Sequence, residues 1–132
     1  MILLPWSDLL CVGVREIDEE HRTLVHLINE LGNAGEDSEA TIRALDVLTN
    51  YVQVHFAHEE KLMRDHGFEH LAGHIAQHRG LTGEVARVRA LAREGRGPGN
   101  DELLLFLRDW LTVHILRDDM EFAITLNGMG AR

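Results

Sequence analysis

Apolar residues recur at three- and four-residue intervals along most of the chain, and no strand-like alternation persists. The first stripe holds Leu24, Ile28 and Leu31 and closes at Gly32 and Gly35. Ahead of it, Asp18 reads as an N-cap, with Glu19 and Glu20 at the positive end of the helix dipole. The second stripe begins near Asp37–Ser38 and runs Ile42, Leu45, Leu48, Val52, Phe56, Leu62 and Met63, ending around Gly67. The third carries Leu71, Ile75, Leu81, Val85 and Val88 and stops at Gly95-Arg96-Gly97-Pro98-Gly99. The fourth, capped at Asn100 or Asp101, holds Leu103, Leu104, Leu107, Trp110, Leu111, Ile115 and Phe122. Four helices joined by short turns predict an all-α, antiparallel up-down-up-down four-helix bundle. Residues 1–18 read as an irregular arm, 19–126 as the bundle and 127–132 as a frayed tail, within one domain of residues 1–132.

Polar residues interrupt these stripes where a plain bundle has none. His21 lies on the line of Leu24 and Ile28, and His55 and Glu59 continue the line of Leu48 and Val52. His74 and His78 sit between Leu71 and Leu81, and His114 follows Leu107 and Leu111, so every helix aims at least one imidazole at the bundle axis. The pairs His55/Glu59 and His74/His78 are spaced by four residues, which brings their Cβ atoms to about 5–6 Å on one helix face. A buried imidazole or carboxylate without a partner costs roughly 1–3 kcal/mol. One such residue is ordinarily satisfied by a hydrogen bond. A set on four helices at similar depth calls for a metal, and imidazole with carboxylate suits iron, zinc, copper or manganese. His70/His74 is a rival pair at the same spacing, but His78 shares the stripe of Leu71, Leu81 and Val85. His58 and His66 read as flank or surface residues, and His26 lies off the first stripe.

Composition narrows the function. The chain has 132 residues, 45% hydrophobic and 27% charged, enough for one core without staples. A net charge of −9 argues against nucleic-acid binding and against docking to an anionic membrane. Cys11 is the single cysteine, which excludes an intrachain disulfide and a cysteine metal knuckle. No apolar run approaches a membrane span, and Met1–Leu4 lacks the features of a signal peptide, so the expected location is the cytoplasm.

With Trp6 and Val12-Gly13-Val14 in the arm, the motifs Ile17-Asp18-Glu19-Glu20-His21, His55-Phe56-Ala57-His58-Glu59-Glu60 with Met63, Gly67-Phe68, His74-x-x-x-His78 and Trp110-Leu111-x-x-His114-Ile115-x-x-x-Asp119 together resemble the haemerythrin family, specifically its single-domain bacterial members. The similarity runs from Trp6 to Phe122. It implies a metal set of His21, His55, Glu59, His74, His78, His114 and Asp119. In that set His74, His78 and His114 hold one iron, and His21 and His55 the other. Glu59 and Asp119 bridge them with an oxo or hydroxo group. Spacing alone points elsewhere at one position: Asp119 is rotated about 140° from His114 on a regular helix, and Asp118 is nearer the same face.

The implied ligand set leaves one coordination position open, on the metal with two histidines, and dioxygen is the expected ligand. Leu24, Phe56, Trp110, Leu111 and Ile115 resemble the family's apolar positions beside that metal; they serve equally as bundle core. No Glu-x-x-His motif of the oxygen-activating di-iron bundles occurs. The resemblance therefore implies reversible oxygen binding without substrate turnover, for storage, delivery or sensing. The alternative is a small-molecule redox enzyme or sensor acting on peroxide or nitric oxide at the same site, with His58 or His26 as the first candidate acid or base. Sensing through a separate protein partner would use the arm that carries Trp6 and Cys11.

Overall fold

The structure, a computed structural model, describes residues 12–97 and 99–128, without the side chains of residues 115, 116 and 126–128. Helix α1 spans Arg15–Asn33, α2 Ser38–Asp65, α3 Leu71–Arg93 and α4 Asn100–Val113. A π-helical turn, His114–Asp119, continues α4 directly into α5, Met120–Gly128. The last three form one rod, so the molecule is the expected four-helix bundle. Contacts near helix ends fix the directions. Asn100, opening α4, donates to the Leu31 carbonyl near the end of α1 at 3.1 Å. Asp46, early in α2, pairs with Arg93 at the end of α3 at 2.9 Å. Both pairs of helices therefore run antiparallel. Among the described residues no helix is long and apolar enough to cross a membrane.

Three boundaries differ from the sequence expectation. Helix α1 starts at Arg15, ahead of Asp18, and its N-cap position is Val14. The Asp18 carboxylate reaches back from inside the first turn to accept from the Val12 amide at 2.7 Å and the Gly13 amide at 3.3 Å. It thus satisfies amides ahead of the helix, which a cap placed at Asp18 itself would not reach. At α4 the N-cap is Gly99, with Asn100 already helical. Helix α5 continues through Gly128, past the expected start of the tail. Trp6, Leu9, Leu10 and Cys11 of the arm, and the tail from residue 129, lie outside the described residues.

The stripes bury as their spacing requires. Ile17, Leu24, Ile28 and Leu31 of α1, Leu45, Leu48, Val52 and Met63 of α2, and Leu103, Leu107 and Leu111 of α4 are almost fully enclosed. Helix α3 is different: its buried residues are His74, His78, Val85 and Val88, while Leu71 and Leu81 are half-buried. The helix with the thinnest apolar face carries two imidazoles on it. Helix α2 ends in a Schellman-type turn, where the Phe68 amide reaches the Met63 carbonyl at 2.9 Å and Gly67 takes φ 65°. Nothing lies within 4 Å of a Cβ added at Gly67, or at Gly80 in the middle of α3.

These two glycines predict opposite effects. Gly67→Ala should destabilise by about 1 kcal/mol, because only its left-handed backbone resists a side chain. Gly80→Ala should stabilise by about 0.5–1 kcal/mol, because it removes freedom from the unfolded chain without a clash. Thermal unfolding reads each as a shift of roughly 4 °C per kcal/mol, and shifts of the same sign would contradict the account.

Candidate metal centre

Seven polar side chains converge inside the bundle, in the half that holds the turn between α2 and α3. His21 from α1, His55 and Glu59 from α2, His114 and Asp119 from the π turn, and His74 and His78 from α3 are all at most 3% exposed. Ligand atoms of His21, His55, Glu59, His114 and Asp119 lie within 4.8 Å of one another, and those of His74, His78 and Asp119 do likewise. Two overlapping clusters thus share one aspartate. Glu59 Oε1 stands 3.3 Å from Nε2 of His55, His78 and His114. Asp119 places Oδ2 2.8 Å from His21 Nε2 and Oδ1 3.2 Å from His114 Nε2. Each carboxylate therefore joins imidazoles from different helices, with His114 against both.

The π turn is what brings Asp119 inward. Its wider i→i+5 winding puts residues five apart on one face, so His114 and Asp119 face the same interior, and Asp119 is fully buried. Asp118 is 16% exposed and stands behind the ring, with Oδ2 3.6 Å from His114 Nδ1. The tension in the sequence between the two aspartates is a property of a regular helix, and the helix here is not regular.

Two carboxylates that the sequence did not single out, together with Asp118, the rival of Asp119, lie behind these rings. Glu20 Oε1 accepts from His55 Nδ1 at 2.8 Å, Glu60 Oε2 accepts from His78 Nδ1 at 2.7 Å, and Asp118 faces His114. Acceptors of this kind fix the tautomer and orientation of a ligating imidazole, leaving Nε2 free for a metal. Glu20 and Glu60 are sequence neighbours of His21 and Glu59, yet Glu20 serves a histidine on another helix, so the adjacency alone does not reveal its partner.

The apolar positions divide. Leu24 and Leu111 are fully buried, and Phe56 and Trp110 nearly so. Phe56 stacks on the His78 ring at 3.9 Å with planes 3° apart and meets His114 edge-on at 4.9 Å. Trp110 donates to the Leu81 carbonyl at 3.3 Å. The Ile115 side chain lies outside the described residues. The remaining histidines stay off the cluster. His70 is 57% exposed beside Glu69 and Glu121. His26 faces Glu30 on the surface, and half-buried His66 contacts the Leu62 carbonyl. His58 is also half-buried, its ring between Glu20 and Glu16.

Do these residues fit a metal? Each of the seven carries one buried nitrogen or oxygen that makes no well-aligned hydrogen bond: His21 Nδ1, His55 Nε2, Glu59 Oε2, His74 Nδ1, His78 Nε2, His114 Nδ1 and Asp119 Oδ1, although His55 Nε2, His78 Nε2 and Asp119 Oδ1 stand within 3.3 Å of a neighbour in the cluster. No other described residue has such an atom. Native interiors rarely tolerate such groups, each costing about 1–3 kcal/mol, and cations shared by the cluster would satisfy them together. Burial also pushes the His55, His74 and His78 imidazoles down, His78 to about 4, against the pull of Glu20, Asp119 and Glu60 respectively. Neutral imidazole is the form that ligates. Burial and the Asp119 charge hold the Glu59 carboxyl well above its usual range. Burial opposes charge on Asp119 and His114 as well, but their mutual attraction prevails, keeping Asp119 well below and His114 well above the ordinary values. Both Glu59 and His114 thus keep their protons to higher pH than usual, which offsets the Asp119 charge.

Comparison with known proteins gives one answer. Residues 12–124 match the Hemerythrin HHE cation binding domain. A bacteriohemerythrin of Pseudomonas aeruginosa is 36% identical over 121 residues, covering 90% of this chain and 78% of its own. One from Methylococcus capsulatus is 32% identical, covering 90% and 93%. A wild-type hemerythrin crystal structure superposes with a TM-score of 0.85 at 30% identity, over 92% of this chain and 96% of its own.

Three outcomes follow for the metal-free protein and its loaded form. Between about pH 4.5 and 6.5 the unfolded chain binds protons at His55, His74 and His78 that the folded chain refuses, while Glu59 throughout and His114 at the upper edge contribute in the opposite sense. Stability of the metal-free protein should therefore fall as pH is lowered through that window, read as a falling urea midpoint; a flat profile would contradict it. Saturation with Fe2+ or Zn2+ at a hundred times Kd should add about 2.7 kcal/mol. Amide exchange in α3 should slow the most, because that helix has the smallest apolar anchorage.

Proposed function

The chain belongs to the haemerythrin family, and from that premise we propose that it binds dioxygen reversibly at a non-haem di-iron centre, as an oxygen-storage, delivery or sensing protein and not as an enzyme. The observation that carries this reading is the set of seven buried polar atoms without a well-aligned hydrogen bond, one on each of seven enclosed residues whose types suit iron. In this reading His74, His78 and His114 would hold one iron and His21 and His55 the other, with Glu59 and Asp119 as the carboxylates available to both. Two ferrous ions held there would supply the electrons for reversible dioxygen binding.

The protein's own residues do the rest. Glu20 and Glu60 hold the His55 and His78 rings by their outer nitrogens, so Nε2 of each stays aimed inward. Phe56, Trp110, Leu24 and Leu111 are buried and bring no ionisable group. Such a wall excludes water and supplies no proton to a bound ligand, which favours release over reduction. Enzymatic use on peroxide or nitric oxide would want a free acid or base at the cluster. His58, the first candidate, has its nitrogens 2.7 Å from Glu20 and 3.3 Å from Glu16, and His26 is 69% exposed.

Anaerobic loading with Fe2+, metal analysis and visible spectra before, during and after exposure to dioxygen test this directly. The expected result is two irons per chain and a new absorption band that appears with dioxygen and disappears on its removal. A band that cannot be reversed would favour redox chemistry over carriage. Asp119→Asn should lower the iron content, whereas Asp118→Asn should leave two irons and weaken their retention by roughly 10–100-fold. The reverse pattern would move the bridging role to Asp118.

A further inference from the structure

Glu20 is held differently from the other carboxylates behind the metal-site rings. Its Oε1 accepts from His55 Nδ1 at 2.8 Å and its Oε2 from His58 Nδ1 at 2.7 Å. The two histidines are one turn apart on α2, and Glu16, one turn before Glu20 on α1, places Oε2 3.3 Å from His58 Nε2. The i,i+3 and i,i+4 spacings set both pairs on the facing sides of the two helices. By contrast, among the described residues Glu60 hydrogen-bonds to the His78 ring alone and Asp118 faces the His114 ring. The gradient of exposure runs outward along this chain of contacts: His55 is fully enclosed, Glu20 18% exposed and His58 35% exposed.

A carboxylate that accepts from the outer nitrogen of a ligating imidazole raises the basicity of that ring and thereby stabilises the oxidised metal. Each further donor on the same carboxylate draws on the same negative charge and weakens its pull on the first. We propose that His58 is a positioning residue for the centre, which shares the Glu20 carboxylate with His55 and so moderates the electron donation of His55 and raises the redox potential of the metals it helps to hold. A centre that must stay ferrous to bind dioxygen gains directly from such a donor, because a higher potential opposes loss of the electrons to solvent oxidants. The inference rests on the di-iron reading above. It adds a role for a side chain that touches neither the metals nor dioxygen.

The test compares wild type with His58→Leu, His58→Gln and Glu20→Gln, each loaded anaerobically with iron. The readouts are the midpoint potential by spectroelectrochemical titration and the rate of iron extraction by a chelator. His58→Leu returns the whole carboxylate to His55 and should lower the potential, changing the oxidised-to-reduced ratio at a fixed potential by about tenfold, equivalent to about 59 mV for one electron. Glu20→Gln removes the anion and should move the potential in the opposite direction, with iron extraction faster by roughly 10–100-fold. His58→Gln keeps an amide donor within reach of Glu20 and should restore most of the wild-type potential. A general loosening of the fold would speed extraction in all three variants and would not split the potentials by sign. Shifts of the same sign in His58→Leu and Glu20→Gln, or no shift in His58→Leu, would overturn the role of His58 while leaving the centre standing. Failure of wild type to take up iron would instead overturn the reading of the centre itself, and this inference with it.

Discussion

Burying seven ionisable side chains in the middle of an apolar bundle is the constraint on which the rest of the structure depends. Leu24, Ile28, Leu45, Leu48, Val52, Leu107 and Leu111 exclude water from the core, so the imidazoles and carboxylates among them can be satisfied only by each other, by the carboxylates behind the rings or by cations. Direct contacts among the seven leave one atom on every residue without a well-aligned hydrogen bond. A ligand set made costly in this way is held ready for a metal: the free energy recovered on binding includes the desolvation already imposed by folding. Helix α3 shows the consequence most clearly, because His74 and His78 occupy half of its fully buried positions.

Charge is arranged in two layers around that core. The inner layer is mostly neutral imidazole, with burial working against protonation of His55, His74 and His78. Behind it, Glu20 and Glu60 accept hydrogen bonds from the outer nitrogens, and Asp118 faces His114 from the edge of the core. The outer carboxylates are partly solvated, so their charge costs less there than it would inside. The arrangement orients the rings, and it also surrounds the cluster with negative charge that favours cations. Most of the acidic residues behind the net charge of −9 are exposed, and these few are the ones turned towards the cluster.

The π turn solves a geometric problem that regular winding leaves open. His114 and Asp119 must face the same interior across five residues, and an α-helix separates them by about 140°. Widening the turn between His114 and Asp119 brings both inward and leaves Asp118 behind the ring. The helix then resumes as α5, burying Phe122 and Ala123. A local irregularity of the backbone thus decides which of two adjacent aspartates enters the core.

What the sequence determined by itself was the bundle and the convergence of His21, His55, Glu59, His74, His78 and His114, because both follow from helical periodicity: residues three and four apart share a face whatever that face meets. The preference for His78 over His70 came from the same rule. Asp119 was legible only through resemblance, since periodicity alone favoured Asp118. The early start of α1 was hidden because Asp18 looks like a cap and instead reaches backwards over Gly13. Tertiary structure alone decided that Glu20 serves His55 and His58 from a different helix and that Phe56 lies flat on His78. These are contacts between helices, and no spacing within one helix encodes which residue of another will stand opposite. Helix packing sets that register, and the orientation of the ligands depends on it.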